Sequence, residues 1–170
     1  MKILIVEDDS SCRQMLVETA KYLAKAVGLE LEILQTFCLE EAEILLEDAD
    51  AVLCDGAFYR NQADLYRCGR VRENWPFMAG NAARRHIPFA LLSGDQRSID
   101  RARACGHQAF SKPGQSTAAI EFLLGAMGLK REERQTKGVG DNPVVVEVDA
   151  ANREIWEEEE DDGKRKRQVA

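Results

Sequence analysis

Carboxylates, a hydroxyl and a lysine follow successive apolar runs of this sequence, and these are the side chains that could do chemistry. In chain order they are Glu7 and Asp8, Asp55, Ser93 and Lys112. The first acids directly follow the apolar residues 3–6, and Asp9 extends the cluster. Neighbouring acids repel one another, so a cluster at a strand end is expected mainly where a cation sits. The alternative is that Asp9 or Ser10 caps the next helix.

The joint placement of these side chains suits phosphoryl transfer. An acidic pair from one strand and a carboxylate from another can hold Mg²⁺ and leave positions for water and phosphate. Asp55 stands alone at its strand end and is the natural nucleophile, which would form an acyl phosphate. Ser93 could hydrogen-bond one phosphoryl oxygen, and Lys112 could pair with another. Each residue taken singly also has a plain explanation, as an exposed acid, a turn serine or a solvated lysine.

Elements that must position these residues alternate along the chain between strand-like and helix-like patterns. We expect strands at residues 3–6, 29–34, 50–55, 87–92 and 108–111. The apolar spacing predicts helices at 11–27, 39–47, 77–85, 96–104 and 117–127. This alternation predicts an α/β fold, an open parallel sheet with helices on both faces. Ligands of such sheets bind beyond the carboxyl ends of the strands, where the five candidate side chains lie.

Composition excludes several classes of protein. With 170 residues, of which 45% are apolar, the chain is long enough for one ordinary domain with a core. No apolar run is long enough to cross a bilayer and no signal peptide is recognisable, so we expect a cytoplasmic protein without a membrane partner. The five cysteines lack paired spacing, which argues against disulfides and zinc. A net charge of −7 argues mildly against nucleic-acid binding.

Four segments resemble the motifs of response-regulator receiver domains. They are KILIVEDD, AVLCD, ALLSG and FSKPG, which carry the candidate residues in order. The resemblance covers residues 1–128, and it is specific because all four motifs occur in the right order and spacing. It implies a flavodoxin-like receiver with five strands and five helices.

The resemblance also implies a role for each residue. Asp55 would accept a phosphoryl group from a sensor histidine kinase or a phosphotransfer protein, with Mg²⁺ as the cofactor. Asp8 and Asp55 would bind the metal directly. Glu7 would act through water, and the backbone carbonyl of Ala57 would supply a third ligand. Ser93 would be the switch hydroxyl beside the lysine.

Two features depart from the receiver pattern. The family usually has a proline a few residues beyond the phosphoacceptor, where this chain has Tyr59 and an insertion at about 56–76. The aromatic switch residue usually lies three positions before the lysine, where this chain has Ala109, with Phe110 one place later. The phosphorylation chemistry is therefore expected to be complete, whereas the relay from hydroxyl to aromatic ring is altered.

The insertion mixes aromatic residues with arginines. Its members of these two kinds are Phe58, Tyr59, Arg60, Tyr66, Arg67, Arg70, Arg72 and Trp75. A segment this long either is functional or contains a short helix. One hypothesis is a lid over the acyl phosphate, or a docking surface with an arginine near the phosphate. A solvated loop with locally packed aromatics is equally plausible, and binding of single-stranded nucleic acid ranks third.

Residues 129–170 change abruptly in composition, with an acidic and a basic run, and we expect a flexible charged tail. A DNA-binding domain would not fit there. We therefore expect a stand-alone receiver that is not an enzyme, apart from possible self-dephosphorylation. It would signal to a downstream protein target by phosphorylation-dependent contact. The alternative is a pseudo-receiver adaptor that binds partners without phosphorylation. A phosphatase of the haloacid-dehalogenase type is disfavoured, because Ala57 replaces its second aspartate.

Overall fold

A five-stranded parallel sheet forms the centre of the computed structural model, which describes residues 1–66 and 71–128. The strand order is β2-β1-β3-β4-β5. The strands are β1 Lys2–Val6, β2 Glu32–Thr36, β3 Ala51–Asp55, β4 Phe89–Ser93 and β5 Gln108–Ser111. The predicted α/β fold is confirmed, including the parallel arrangement of all five strands.

Helices cover both faces of the sheet. The helices are α1 Ser10–Ala26, α2 Leu39–Leu45, α3 Gln62–Tyr66, α4 Trp75–Arg84, α5 Gln96–Ala104 and α6 Ser116–Ala126, and all of them except α3, which has no buried residue, pack on the sheet. Side chains of β1 alternate between two cores: Leu4 packs on the side of α2, α4 and α5, whereas Ile3 and Ile5 pack on the side of α1 and α6. Burial on both faces explains why the three central strands, β1, β3 and β4, are continuous apolar runs. None of the described helices is long and apolar enough to cross a membrane.

The structure adds three details about the elements. The second strand begins at Glu32 instead of residue 29, because Leu29 and Leu31 pack against the core in the connection from α1. The described residues contain a sixth helix, α3, inside the insertion, which confirms the alternative that this segment contains a short helix. The insertion also ends earlier than residue 76, because Trp75 already begins α4 and is only 2% exposed.

Part of what the sequence predicts lies outside the described residues. The charged tail at 129–170 is there, and so are Arg67, Cys68 and Arg70 of the insertion. Those predictions stay predictions. The four cysteines of the described part are free.

Candidate functional site

Three carboxylates meet at the carboxyl ends of β1 and β3. These strands are neighbours, and Val6 pairs with Cys54, so the residues that follow, Glu7 and Asp55, end up side by side. Glu7, Asp8 and Asp55 each offer an oxygen, and these oxygens all lie within 4.8 Å of one another. The sequence-predicted acids are therefore brought together by the register of two parallel strands.

Lys112 reaches into this cluster from the end of β5. Its Nζ lies 2.5 Å from Oε2 of Glu7 and 2.8 Å from Oδ1 of Asp55. The backbone N–H of Lys112 donates to the carbonyl of Ser93 at 2.9 Å, which aligns it with the end of β4. One ammonium thus bridges carboxylates from two strands. We refer to Glu7, Asp8, Asp55 and Lys112 as the rim cluster.

Negative charge exceeds positive charge in the rim cluster. Burial, and then the charge of Asp55, raise the pKa values of Glu7 and Asp8, although Lys112 lowers both. For Lys112, burial lowers the pKa, but the hydrogen bonds and charges of Asp55 and Glu7 outweigh it, so the pKa is raised and the ammonium stays charged. Three carboxylates against one ammonium leave a formal charge of −2. Carboxylate oxygens with excess negative charge are the donors that a hard divalent cation such as Mg²⁺ prefers, so the residues fit this metal.

The turn after β1 fixes the direction of the acids. Asp9 caps α1 by accepting from the N–H of Cys12 at 2.7 Å, and the backbone N–H of Asp9 donates to Oε1 of Glu7 at 3.3 Å. The Cys12 thiol donates to Oε2 of Glu7 at 3.3 Å. Burial and the Glu7 charge raise the pKa of Cys12 to about 11, so this thiol stays protonated. The helix-cap alternative holds for Asp9, whereas Glu7 and Asp8 face the rim cluster.

Sequence reasoning missed Arg13 as a supporting residue. Its Nη1 donates to the backbone carbonyl of Glu7 at 2.6 Å, and its guanidinium lies 6.0 Å from the centre of the Phe37 ring. The arginine therefore steadies the turn that presents the acids. Its position in the first turn of α1, four residues after Asp9, is the signal that could have indicated it.

Ser93 lies beside the rim cluster, but its side chain is hydrogen-bonded to Asp95 and not to a residue of the cluster. Its side chain is buried, and its Oγ accepts from the N–H of Asp95 at 3.1 Å. A Cβ added at Gly56, the residue after Asp55, would collide with that Oγ and lie 3.0 Å from the Ser93 Cβ. The absence of a side chain at Gly56 thus makes room for the serine next to Asp55.

The insertion begins directly after Asp55 and is closed at its base. Phe58 is fully buried, and it exchanges two backbone hydrogen bonds with Arg72, of 3.0 and 3.1 Å. The side-chain amide of Asn74 donates to the Phe58 carbonyl at 2.7 Å. We call residues 59–71 the insertion loop, and the three paired residues Phe58, Arg72 and Asn74 its neck. Ala57 lies between Asp55 and the neck and is half-buried, and the role of its carbonyl stays a prediction.

The start of the insertion loop caps α2. The carbonyls of Tyr59 and Arg60 accept from the first N–H groups of α2, those of Leu39 and Glu40, at 2.9 and 3.0 Å. Cys38, the N-cap residue, makes no side-chain cap of its own. Within residues 1–66 and 71–128, no hydrogen bond or ion pair joins an insertion arginine to the rim cluster. The lid remains a prediction.

The aromatic residues near the sheet differ from those expected of a receiver. Phe58 and Trp75, two of the aromatic residues predicted in the insertion, are core residues. Ala109 is buried in the same core, whereas Phe110 points to the opposite face, where its ring lies 6.1 Å from that of Phe122. Trp75 instead meets His107 edge-on at 6.3 Å. A tryptophan from α4 therefore lies near the start of β5, although the switch position itself carries alanine.

Solved structures with this fold include receiver domains. The two-component transcriptional regulator AraC from Clostridium phytofermentans ISDg is 17% identical, with a TM-score of 0.55 over 76% of this chain and 93% of that chain. The apo receiver domain of nitrogen regulatory protein C is 19% identical, with a TM-score of 0.50 over 76% of this chain and 96% of that chain. The chain therefore has the receiver-domain fold.

The likeness extends to a protein without a natural function. A de novo designed Rossmann 2x3 fold protein is 15% identical, with a TM-score of 0.51 over 78% of this chain and 97% of that chain. No protein-family model matches the sequence, and no curated protein does. Since unrelated functions share such folds, function has to be argued from the rim cluster.

Proposed function

We propose that this chain is a response-regulator receiver that accepts a phosphoryl group on Asp55. The donor would be the phosphohistidine of a sensor histidine kinase or phosphotransfer protein, and the cofactor would be Mg²⁺. The observation that carries the proposal is the position of Lys112 Nζ, which bridges Glu7 and Asp55 in a cluster that keeps excess negative charge. A cluster used only for stability would be expected to balance its charges.

The chemistry follows from the oxygens of Asp55. Lys112 holds Oδ1, and no hydrogen bond of the described residues engages Oδ2, which is left as the nucleophile. A P–O bond forms at Oδ2 as the P–N bond of the phosphohistidine breaks, and the imidazole leaves with the electron pair. Lys112 then pairs with a phosphoryl oxygen, and the Ser93 hydroxyl donates to another.

The metal would be held by side chains that already converge. Glu7, Asp8 and Asp55, with the backbone carbonyl of Ala57, would hold Mg²⁺, which supplies charge that neutralises the phosphoryl oxygens. The protein's own contribution is to position the nucleophile and the lysine. We propose no catalytic turnover other than hydrolysis of its own acyl phosphate.

The proposed output is a change in contact with a downstream protein. The responding face would comprise β4, α5 and β5, because Ser93 ends β4 and is bonded to the cap of α5. Phosphorylation would shift a pre-existing equilibrium of this face and so change its affinity for the partner. The cytoplasm is the proposed location, where kinase domains and such partners meet.

Phosphorylation of the full chain by a small phosphodonor tests the proposal. The protein is incubated with acetyl phosphate and Mg²⁺, and its intact mass is measured. We expect the mass gain of one phosphoryl group in the wild type and in Asp48→Asn, a matched change of an exposed acid. Asp55→Asn should show no gain, and neither should the wild type with Mg²⁺ removed by a chelator. A gain that survives Asp55→Asn would contradict the proposal.

A phosphorylation-independent adaptor is the second candidate. Ala109 favours it, because the position that carries the switch aromatic in receivers cannot relay a signal here in the usual way. If the wild type gains no mass under any of these conditions, the adaptor replaces the phosphoacceptor.

A further inference from the structure

We propose that Glu73 is a positioning residue that couples the phosphoacceptor site to α5. A chain of hydrogen bonds from Ser93 through Asp95 and Ser98 to Glu73 would hold α5 in its unphosphorylated position, and phosphorylation of Asp55 would release it. This inference rests on the proposed function and deepens it, since it names how the site is read out.

The first link of the chain connects the site to the cap of α5. Ser93 Oγ lies against Gly56 and accepts from the Asp95 N–H at 3.1 Å. In this proposal the serine hydroxyl gives up this position in order to donate to a phosphoryl group on Asp55. When it turns to the phosphoryl group, the Asp95 N–H loses its acceptor, so the first turn of α5 has to adjust.

The second link runs through the cap itself. The Asp95 carboxylate accepts from the backbone N–H of Arg97 at 3.2 Å and of Ser98 at 3.1 Å, which is how it caps α5. It also accepts from the Ser98 hydroxyl at 2.8 Å. The same hydroxyl lies 3.1 Å from Oε1 of Glu73. Ser98 is buried, so its hydroxyl has few alternatives to these two carboxylates.

The third link ties α5 to α4. Glu73 precedes α4 by two residues and accepts from Trp75 Nε1 at 3.0 Å and from Arg101 Nη1 at 2.6 Å. The Arg101 guanidinium also lies 5.7 Å from the centre of the Trp75 ring. Ser98 and Arg101 are both on α5, so one carboxylate clamps two positions of this helix. We call Glu73, Trp75, Ser98 and Arg101 the clamp.

The charge of Glu73 supports this arrangement. Burial raises its pKa, but hydrogen bonds from Trp75, Ser98 and Arg101 together outweigh burial, so the pKa is lowered and the group is a carboxylate at neutral pH. Ala109 leaves no aromatic at the usual switch position, whereas the buried ring of Trp75, a member of the clamp, meets His107 edge-on just before β5. The clamp is thus the described route by which a change at Ser93 can reach the surface of α5.

The coupling has a thermodynamic consequence that a purely structural clamp would lack. If the clamp holds the unphosphorylated position, weakening it shifts the equilibrium towards the phosphorylated arrangement. A phosphoryl mimic then binds more tightly, because coupling between two sites is reciprocal. If the clamp only stabilised the fold, weakening it would lower the stability of the protein and leave its affinity for the phosphoryl mimic unchanged.

Binding of beryllofluoride with Mg²⁺ to the full chain tests the coupling. The parent protein and all its variants carry Trp156→Phe. Because the sequence has two tryptophans, this change leaves Trp75 as the only one. Fluorine NMR measures bound beryllofluoride, and Trp75 fluorescence measures the response. We expect the parent to change its fluorescence on binding. Glu73→Ala and Ser98→Ala should lose most of that change and bind beryllofluoride about three- to tenfold more tightly.

Controls separate the clamp from general effects. Glu47→Ala removes a glutamate whose ion pair with Arg85 is exposed, and it should behave as the parent. Glu73→Gln keeps the acceptor for Trp75 and Ser98 but loses the charge that holds Arg101, so an intermediate affinity is expected.

The outcomes are distinct from failure of the proposed function. Beryllofluoride binding without any change in Trp75 fluorescence overturns the coupling and leaves the phosphoacceptor intact. Equal affinity in the parent, Glu73→Ala and Glu73→Gln does the same. If the parent binds no beryllofluoride, the proposed function fails and the coupling falls with it.

Discussion

The side-chain carboxylates of Glu7 and Glu73 each accept three hydrogen bonds within the described part of the chain, yet their pKa values move in opposite directions. Glu7 is almost fully buried and faces Asp55, and these two effects outweigh its bond to Lys112. The side chain of Glu73 is 37% exposed, and its donors outweigh the small burial. The number of donors is therefore less decisive than burial and the presence of a second carboxylate.

The difference assigns the two regions different tasks. The rim cluster holds more negative charge than its lysine balances, so it can take up a cation and a phosphoryl group. The clamp pairs one carboxylate with one guanidinium and two neutral donors, so it holds helices together. Three measurements can break or sharpen this distinction.

Replacing Lys112 by methionine should have the largest effect. The rim cluster would lose its cation and keep three carboxylates, of which Glu7 is 2% exposed. Breaking a buried pair in this way costs about 2–4 kcal/mol of unfolding free energy. Urea denaturation without Mg²⁺ measures the loss, and added Mg²⁺ should restore more stability to this variant than to the wild type.

Lys2→Met is the matched control for Lys112→Met. The ion pair of Lys2 with Glu32 is 3.7 Å long and exposed, so its loss should cost less than about 1 kcal/mol. Equal losses of unfolding free energy in the two variants would show that Lys112 stabilises the rim cluster no more than an exposed lysine stabilises its ion pair.

Asp8→Asn should have a smaller effect of opposite sign. The raised pKa of Asp8 means that its charged form is disfavoured by burial and by Asp55, so removing that charge stabilises the fold without metal, by about 1 kcal/mol. The gain in melting temperature on adding Mg²⁺ should shrink, because a ligand is lost. Melting with a chelator and with Mg²⁺ measures both, beside Asp48→Asn. If Asp8→Asn melted at a lower temperature than the wild type in the presence of the chelator, the carboxylates of the rim cluster would not repel one another.

Acid should weaken the clamp by the smallest amount. The pKa of Glu73 is lowered by folding, so its contribution to stability is fully present above the ordinary value of 4.5 and is lost as the pH falls through the folded value. Because the side chain is partly exposed, this contribution is below about 1 kcal/mol. Unfolding free energies of the wild type and Glu73→Gln between pH 3 and 7 should therefore converge at low pH. A difference that widens on acidification would contradict the assignment.

Local patterns predict the position of the rim cluster well, because each of its residues lies at the carboxyl end of a strand or within two residues of it. Once the strands are parallel and Val6 pairs with Cys54, the acids have to meet. The bounds of α5 and β5 agree with the sequence prediction, and Asp95 caps α5. The start of β2 was missed because leucines of the preceding connection also pack in the core.

The clamp could not be predicted in this way. Ser98 and Arg101 lie 25 and 28 residues from Glu73, and β4 separates them in the chain. Glu73 also follows an insertion whose helix has too few residues for a clear period. Only the path of the chain from the neck into α4 places this carboxylate against α5.

The neck has a consequence for protein engineering. Phe58, Arg72 and Asn74 close the insertion loop at its base, so the two ends of the loop are fixed to each other independently of what lies between them. Residues 61–71 are therefore a segment suited to replacement by a reporter peptide or a foreign binding epitope. Keeping Tyr59 and Arg60 preserves the carbonyls that cap α2. Such a graft would begin only a few residues along the chain from Asp55, the proposed site of phosphorylation.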